Sequence, residues 1–155
     1  MKACGLIVEY NPFHNGHKYH LLKAQEITKC DLTIACMSGN YLQRGEPALL
    51  NKWLRAEMAV ENGVDLVVEL PSFYSNESAE IFALGAIKIL DYLKTNSICF
   101  GSEAGEVESL QNIVDFSERK EFSERVKELL KDGISYPNAM RILIEEEFGE
   151  NSLNP

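Results

Sequence analysis

Four short, unbroken apolar runs, set between longer stretches of helical periodicity, constrain this chain most. They cover residues 3–8, 32–37, 66–70 and 98–100. Turn-forming or polar residues bound them, among them Asn11-Pro12, Ser38-Gly39, Pro71 and Gly101. A strand wetted on one face alternates apolar and polar residues. These runs do not, so both faces are expected to be covered, as in a parallel sheet. Between the runs, residues 17–29 set Leu21, Leu22 and Ile27 toward one side of a helix. Residues 49–62 offer Leu50, Leu54, Met58 and Val60, with Gly63 as a stop. Residues 78–95 carry Ile81, Leu84 and Ile87, with Ala83 and Ala86, then Leu90 and Leu93. The alternating order implies right-handed crossovers and a three-layer α/β/α, Rossmann-like parallel sheet.

After Gly105 the strand signal ends. Helices are expected at about 107–118, 121–131 and 137–148, with Pro137 in a first turn and Ser135 or Tyr136 as the cap. The expected division is a sheet-based domain over 1–105 and an acidic helical extension over 106–155. That extension either packs on the sheet domain or leads to a region beyond this chain.

A length of 155 residues can bury one real core. No run of 18 apolar residues offers a membrane-spanning helix, and no basic segment precedes an apolar one as in a secretory signal. The net charge of −9 argues against broad, charge-driven nucleic-acid binding by this chain alone. The charge is uneven: seven basic and four acidic side chains in residues 1–56, six and twelve in residues 106–150. An anionic ligand therefore favours the first third, and the acidic half reads as solvated helix faces. Cys4, Cys30, Cys36 and Cys99 show no metal-type spacing. Cys4, Cys36 and Cys99 lie in apolar runs and read as small buried thiols of a cytoplasmic protein.

The chemistry concentrates after the first run, in Ile7-Val8-Glu9-Tyr10-Asn11-Pro12-Phe13-His14-Asn15-Gly16-His17-Lys18-Tyr19-His20. A strand ends, a short turn follows, and His14-x-Gly16-His17 opens a helix. Ligands of open parallel sheets bind beyond the carboxyl ends of the strands. A helix start offers unpaired N–H groups and partial positive charge, which suit phosphate. Gly16 lets backbone approach a ligand, and His14 and His17 can donate to phosphoryl oxygens. Lys18 adds a cation, and His20 stands one helical turn beyond His17. The pattern points to a nucleoside triphosphate. Surface histidines on a turn, or a metal held by His17 and His20, are the competing readings.

The polar segment after the second run contains Asn40, Gln43, Arg44 and Glu46. Arg44 and Asn40 are candidates for holding a small carboxylate, Arg being suited to bidentate recognition; a simple Arg44–Glu46 surface pair competes. Glu69, a carboxylate in an apolar run, calls for a basic partner more than for catalysis. Trp53 is expected to pack in a core or interface.

His14-Asn15-Gly16-His17 after a first strand resembles the HxGH signature of the nucleotidyltransferase superfamily. The wider wording is narrower: residues 5–20, 37–48, 67–71 and 100–103 resemble the tRNA(Met) cytidine acetate ligase family over nearly the whole chain. That resemblance implies activation of acetate with ATP to acetyl-adenylate and pyrophosphate. It further implies transfer of the acetyl group to N4 of the wobble cytidine of elongator tRNA(Met). Carried over by position, residues 7–20 match the family's ATP-binding segment and Gly101 an isolated ATP contact. Mg²⁺ is expected to arrive with the nucleotide. Family members are longer, and the later phosphate motif of the superfamily is absent after Gly101. The chain is thus expected to be an N-terminal piece or a short relative. Two alternatives stay open: an adenylyltransferase acting on a phosphorylated cofactor precursor, and an ATP-binding fragment without activity of its own.

Overall fold

A computed structural model describes residues 1–43, 45–101 and 107–149. Its first compact unit runs from Met1 to Phe100 and its second begins at Gly101. The domain boundary expected after residue 105 falls among residues outside the description.

The first unit follows the apolar runs. Strands β1 (Ala3–Val8), β2 (Leu32–Ser38), β3 (Leu66–Leu70) and β4 (Ser97–Cys99) form one parallel sheet of order β3-β2-β1-β4. Helices α1 (Asn15–Thr28), α2 (Lys52–Glu61), the short α3 (Ser72–Ser75) and α4 (Ala79–Tyr92) connect them. Successive side chains of a strand point to opposite faces. Cys4, Leu6 and Val8 of β1 and Ala35 and Met37 of β2 accordingly pack with Leu21 and Ala24 of α1 and Ala59 of α2. Ala3, Ile34, Cys36 and Leu70 pack with Ala86 and Leu90 of α4 on the other face. The expected three layers are therefore present. Coverage on both faces is complete only for the central β1 and β2; the outer β3 leaves Leu66 exposed.

The helix faces differ from the expectation. Leu22 and Ile27 of α1, Leu54 and Val60 of α2, and Leu84 and Ile87 of α4 are exposed. The expected Leu21 and Leu90 are buried, and the small Ala24, Ala59 and Ala86 are buried beside them. Small contacts let the helix backbone approach the pleat. The Cβ of a residue at Gly5 would lie 2.7 Å from Leu90 Cδ1.

The second unit contains α5 (Val107–Ser117), α6 (Lys120–Lys131) and α7 (Tyr136–Phe148), with Pro137 in the first turn of α7 and Ser135 before it. Its own core joins Phe116, Phe122, Val126, Leu143 and Ile144. No helix of the described residues is long and apolar enough to cross a membrane.

Candidate functional site

The strand order locates a crevice before any side chain is considered. The chain steps from β1 outward to β2 and β3, then returns to place β4 on the other side of β1. The carboxyl ends of β1 and β4 are thus a topological switch point, where neighbouring connections leave in opposite directions and open a gap. The turn from Tyr10 to His14 leaves β1 there.

His14 caps α1. Its Nδ1 accepts from the Gly16 N–H at 3.1 Å, while His17 Nδ1 accepts from the His14 N–H at 3.3 Å. This is a capping box built from two imidazoles in place of the usual Ser and Glu. An Nδ1 that accepts is unprotonated, so each neutral ring carries its proton on Nε2. Both rings can then offer an N–H donor to an anion while their other edge holds the helix start. The rings stack at 3.6 Å between centroids. Gly16 is needed for this stack, since a Cβ there would stand 2.9 Å from His14 Cε1.

The turn is packed from beneath. Tyr10 is buried with a left-handed φ of 47°, the Asn11–Pro12 bond is cis, and the Tyr10 ring lies 4.8 Å from both Phe13 and His17. Burial raises the Tyr10 hydroxyl to about 12, so it stays protonated. Burial also lowers the His17 pKa, helped by repulsion from His14 and His20. His20 is lowered by burial as well, opposed by the Cys99 backbone at the end of β4. Its Nε2 has no hydrogen-bond partner among the described residues. Burial thus favours the neutral form of His17 and His20, and His20 connects the α1 face to the β4 end.

Other residues singled out in the sequence fall as follows. Lys18, Tyr19 and Asn15 are exposed on the first turns of α1, and Ile7 and Val8 belong to β1. Glu9 and Asn11 act as struts: Glu9 Oε1 accepts from the Gln43 N–H at 2.7 Å and Asn11 Oδ1 from the Leu49 N–H at 2.7 Å. They tie the β1 turn to the loop after β2. Asn40 uses its side-chain oxygen on the Lys52 N–H at 3.0 Å, at the start of α2, and keeps its amide N–H₂ for other partners. Arg44 lies outside the described residues. Gly101, the second residue past β4, is exposed, and a Cβ there would meet no described atom within 4 Å. Glu69 pairs with Lys52 at 2.6 Å; the partner comes from the start of α2, and the carboxylate is partly exposed. Trp53 is 75% exposed, so it is not core packing; Lys52 Nζ lies 5.3 Å from its ring.

Sequence reasoning passed over Arg55. It is wholly buried and donates to the backbone carbonyls of Glu9, Tyr10, Ser38 and Gly39. The available signal was its place four residues before Ala59, on the same helix face as that buried alanine.

A parallel α/β sheet whose switch point carries an imidazole-capped HxGH helix start defines a nucleotidyltransferase-like domain. A model of the HIGH Nucleotidyl Transferase family matches residues 1–154, and the chain belongs to that family. It is 54% identical over 147 residues to the tRNA(Met) cytidine acetate ligase of Caldicellulosiruptor saccharolyticus, covering 94% of this chain and 37% of the relative. It is 52% identical over 142 residues to the protein of the same name from Clostridium tetani, covering 90% and 35%. The crystal structure of Thermotoga maritima TmcAL bound with alpha-thio ATP superposes with a TM-score of 0.88 at 44% identity, over 99% of this chain and 38% of that one. The chain thus spans well under half the length of these relatives.

Proposed function

We propose that the β1–α1 turn binds ATP and that the chain carries the adenylating part of a tRNA(Met) cytidine acetate ligase. The observation that carries this reading is the imidazole pair whose Nδ1 atoms hold the start of α1 and leave two Nε2–H donors at the switch point. In this reading residues 7–20 cradle the nucleotide, with Gly101 as a further contact. His14, His17 and Lys18 stabilise charge on the α-phosphate. Asn40 and Arg44 receive acetate. One acetate oxygen attacks the α-phosphorus, the bond to the bridging oxygen breaks, and pyrophosphate leaves as acetyl-AMP forms. The reaction asks for in-line placement and charge stabilisation, with no protein nucleophile. Mg²⁺ would come with the nucleotide and neutralise the leaving pyrophosphate. The acetyl group would then pass to N4 of the wobble cytidine of elongator tRNA(Met). An acidic chain is a poor tRNA surface, so tRNA contacts are assigned chiefly to the part of the relatives that this chain does not span. Four free cysteines support a reducing, cytoplasmic setting.

Calorimetry with ATP, followed by pyrophosphate release with and without acetate, tests the reading. ATP binding should be lost in His14→Ala and His17→Ala. Release that ignores acetate but needs a phosphorylated acceptor would point to a cofactor-precursor adenylyltransferase instead. ATP binding without AMP formation would identify a binding unit that needs the rest of its relatives' length.

A further inference from the structure

The largest fully buried side chain among the described residues is an arginine. From α2, Arg55 reaches beneath the carboxyl edge of the sheet. Its Nε donates to the Tyr10 carbonyl at 3.1 Å and its Nη2 to the Ser38 carbonyl at 3.0 Å and the Ser38 hydroxyl at 3.1 Å. The same guanidinium donates to the Glu9 and Gly39 carbonyls. Every partner is a backbone carbonyl or a hydroxyl, and they come from the ends of both central strands. Arginine in such a place usually meets a carboxylate. Here the Glu9 carboxylate contributes through its field, while its Oε1 accepts from the Gln43 N–H. The guanidinium therefore fixes chain conformation and makes no ion pair among the described residues.

What it fixes is the strained residue of the site. Tyr10 is bulky and sits at φ 47°, a region that side chains of its kind rarely adopt. Its carbonyl is held by Arg55 Nε, and its ring supports His17 at 4.8 Å. His17 in turn caps α1 together with His14. A continuous line of contacts thus runs from Arg55 through Tyr10 to the two imidazoles. We propose that Arg55 is a positioning residue that holds the β1–α1 turn in the conformation that receives ATP. This rests on the ATP reading above. A planar fork of five donors can serve the oxygens of Glu9, Tyr10, Ser38 and Gly39 together; the three donors of an ammonium are too few for them all.

The test uses the whole chain in wild-type, Arg55→Lys and Arg55→Gln forms, with Leu90→Ala as a core variant destabilised away from the turn. Two quantities are read well below the melting temperature: the ATP dissociation constant by calorimetry, and the ¹⁵N shifts of the His14 and His17 rings. Wild-type rings should show the tautomer protonated at Nε2. In Arg55→Lys the ring shifts should move toward those of free imidazole and ATP affinity should fall on the order of tenfold or more, a change of about 1.4 kcal/mol. Leu90→Ala should keep the wild-type ring shifts and ATP affinity. Wild-type ring shifts and ATP affinity in a folded Arg55→Lys would overturn the proposal. Because the ring shifts need no nucleotide, a wild-type chain that ignores ATP would remove the ATP reading and leave the Arg55 test decided by the rings. If neither variant folds, hydrogen exchange of Arg55 Nε–H in the wild type decides. ATP that selects the clamped turn must slow that exchange; an unchanged rate overturns the proposal.

Discussion

The two units solve the problem of a stable interior by different means. The helical unit is apolar inside, with Phe116, Phe122, Val126, Leu143 and Ile144 in contact, and it leaves its ion pairs outside. Arg119–Glu147 and Arg125–Glu146 are exposed, and Arg141–Glu145 is exposed on its arginine side. The sheet unit buries polar groups as well. Arg55, Ser38 and Thr33 lie inside, Arg55 and Ser38 beneath the site and Thr33 at the opposite end of β2, bonded to Asp65 at 2.8 Å. Apolar burial gives cohesion without direction, whereas satisfied buried polar groups fix one backbone geometry. The difference teaches where conformation matters: the unit that must present two imidazoles at a set place carries the polar bracing.

If that contrast holds, the largest effect comes from hollowing either core. Leu143→Ala in the helical unit and Leu90→Ala in the sheet unit should each cost about 2–5 kcal/mol in urea titrations. Leu143→Ala should leave ATP affinity unchanged; a loss of ATP binding there would break the contrast.

Gly16→Ala comes next. The added methyl must push the His14 ring aside. The cap should weaken by about 1 kcal/mol. ATP affinity should fall on the order of tenfold. Thermal melts and calorimetry on the same samples separate the two, and an alanine variant that binds ATP normally would count against the imidazole stack as the phosphate site.

A smaller effect is expected on acidification. His17 and His20 have folded pKa values below the ordinary 6.5, chiefly through burial. The unfolded chain therefore takes up their protons first as pH falls, and stability, complete above about 6.5, declines below it. His17→Gln should flatten that decline. Protonating His17 would turn its Nδ1 from acceptor to donor against the His14 N–H, so ATP should bind less tightly as pH falls through the same range. Melting temperatures against pH, with and without ATP, test both signs. The smallest effect belongs to the surface of the helical unit, where removing the exposed Arg125–Glu146 pair should change stability by no more than about 1 kcal/mol.

The four strands and the place of the HxGH turn were legible because continuous apolar runs and a helix start after a strand have few other physical readings. The helix faces were legible only in part. Leu21, Ala86 and Leu90 were read onto the buried faces and lie there, whereas Leu22, Ile27, Leu84 and Ile87 are exposed and the small Ala24 and Ala59 take buried places that hydrophobicity alone did not mark. Arg55 was missed for a related reason. A charged residue is read as surface unless its partner is visible, and its partners here are backbone carbonyls that no side-chain pattern announces. The struts of Glu9 and Asn11 were hidden similarly, since their acceptors serve amides more than 30 positions away.

The doubled use of each ring at the start of α1 makes the two nitrogens of His14 separable by chemistry. A histidine methylated at Nε2 would keep its acceptor toward Gly16 and still begin the helix, yet present a methyl where the donor had been. Methylation at Nδ1 would cost both roles, removing the acceptor toward the Gly16 N–H and leaving Nε2 an unprotonated acceptor.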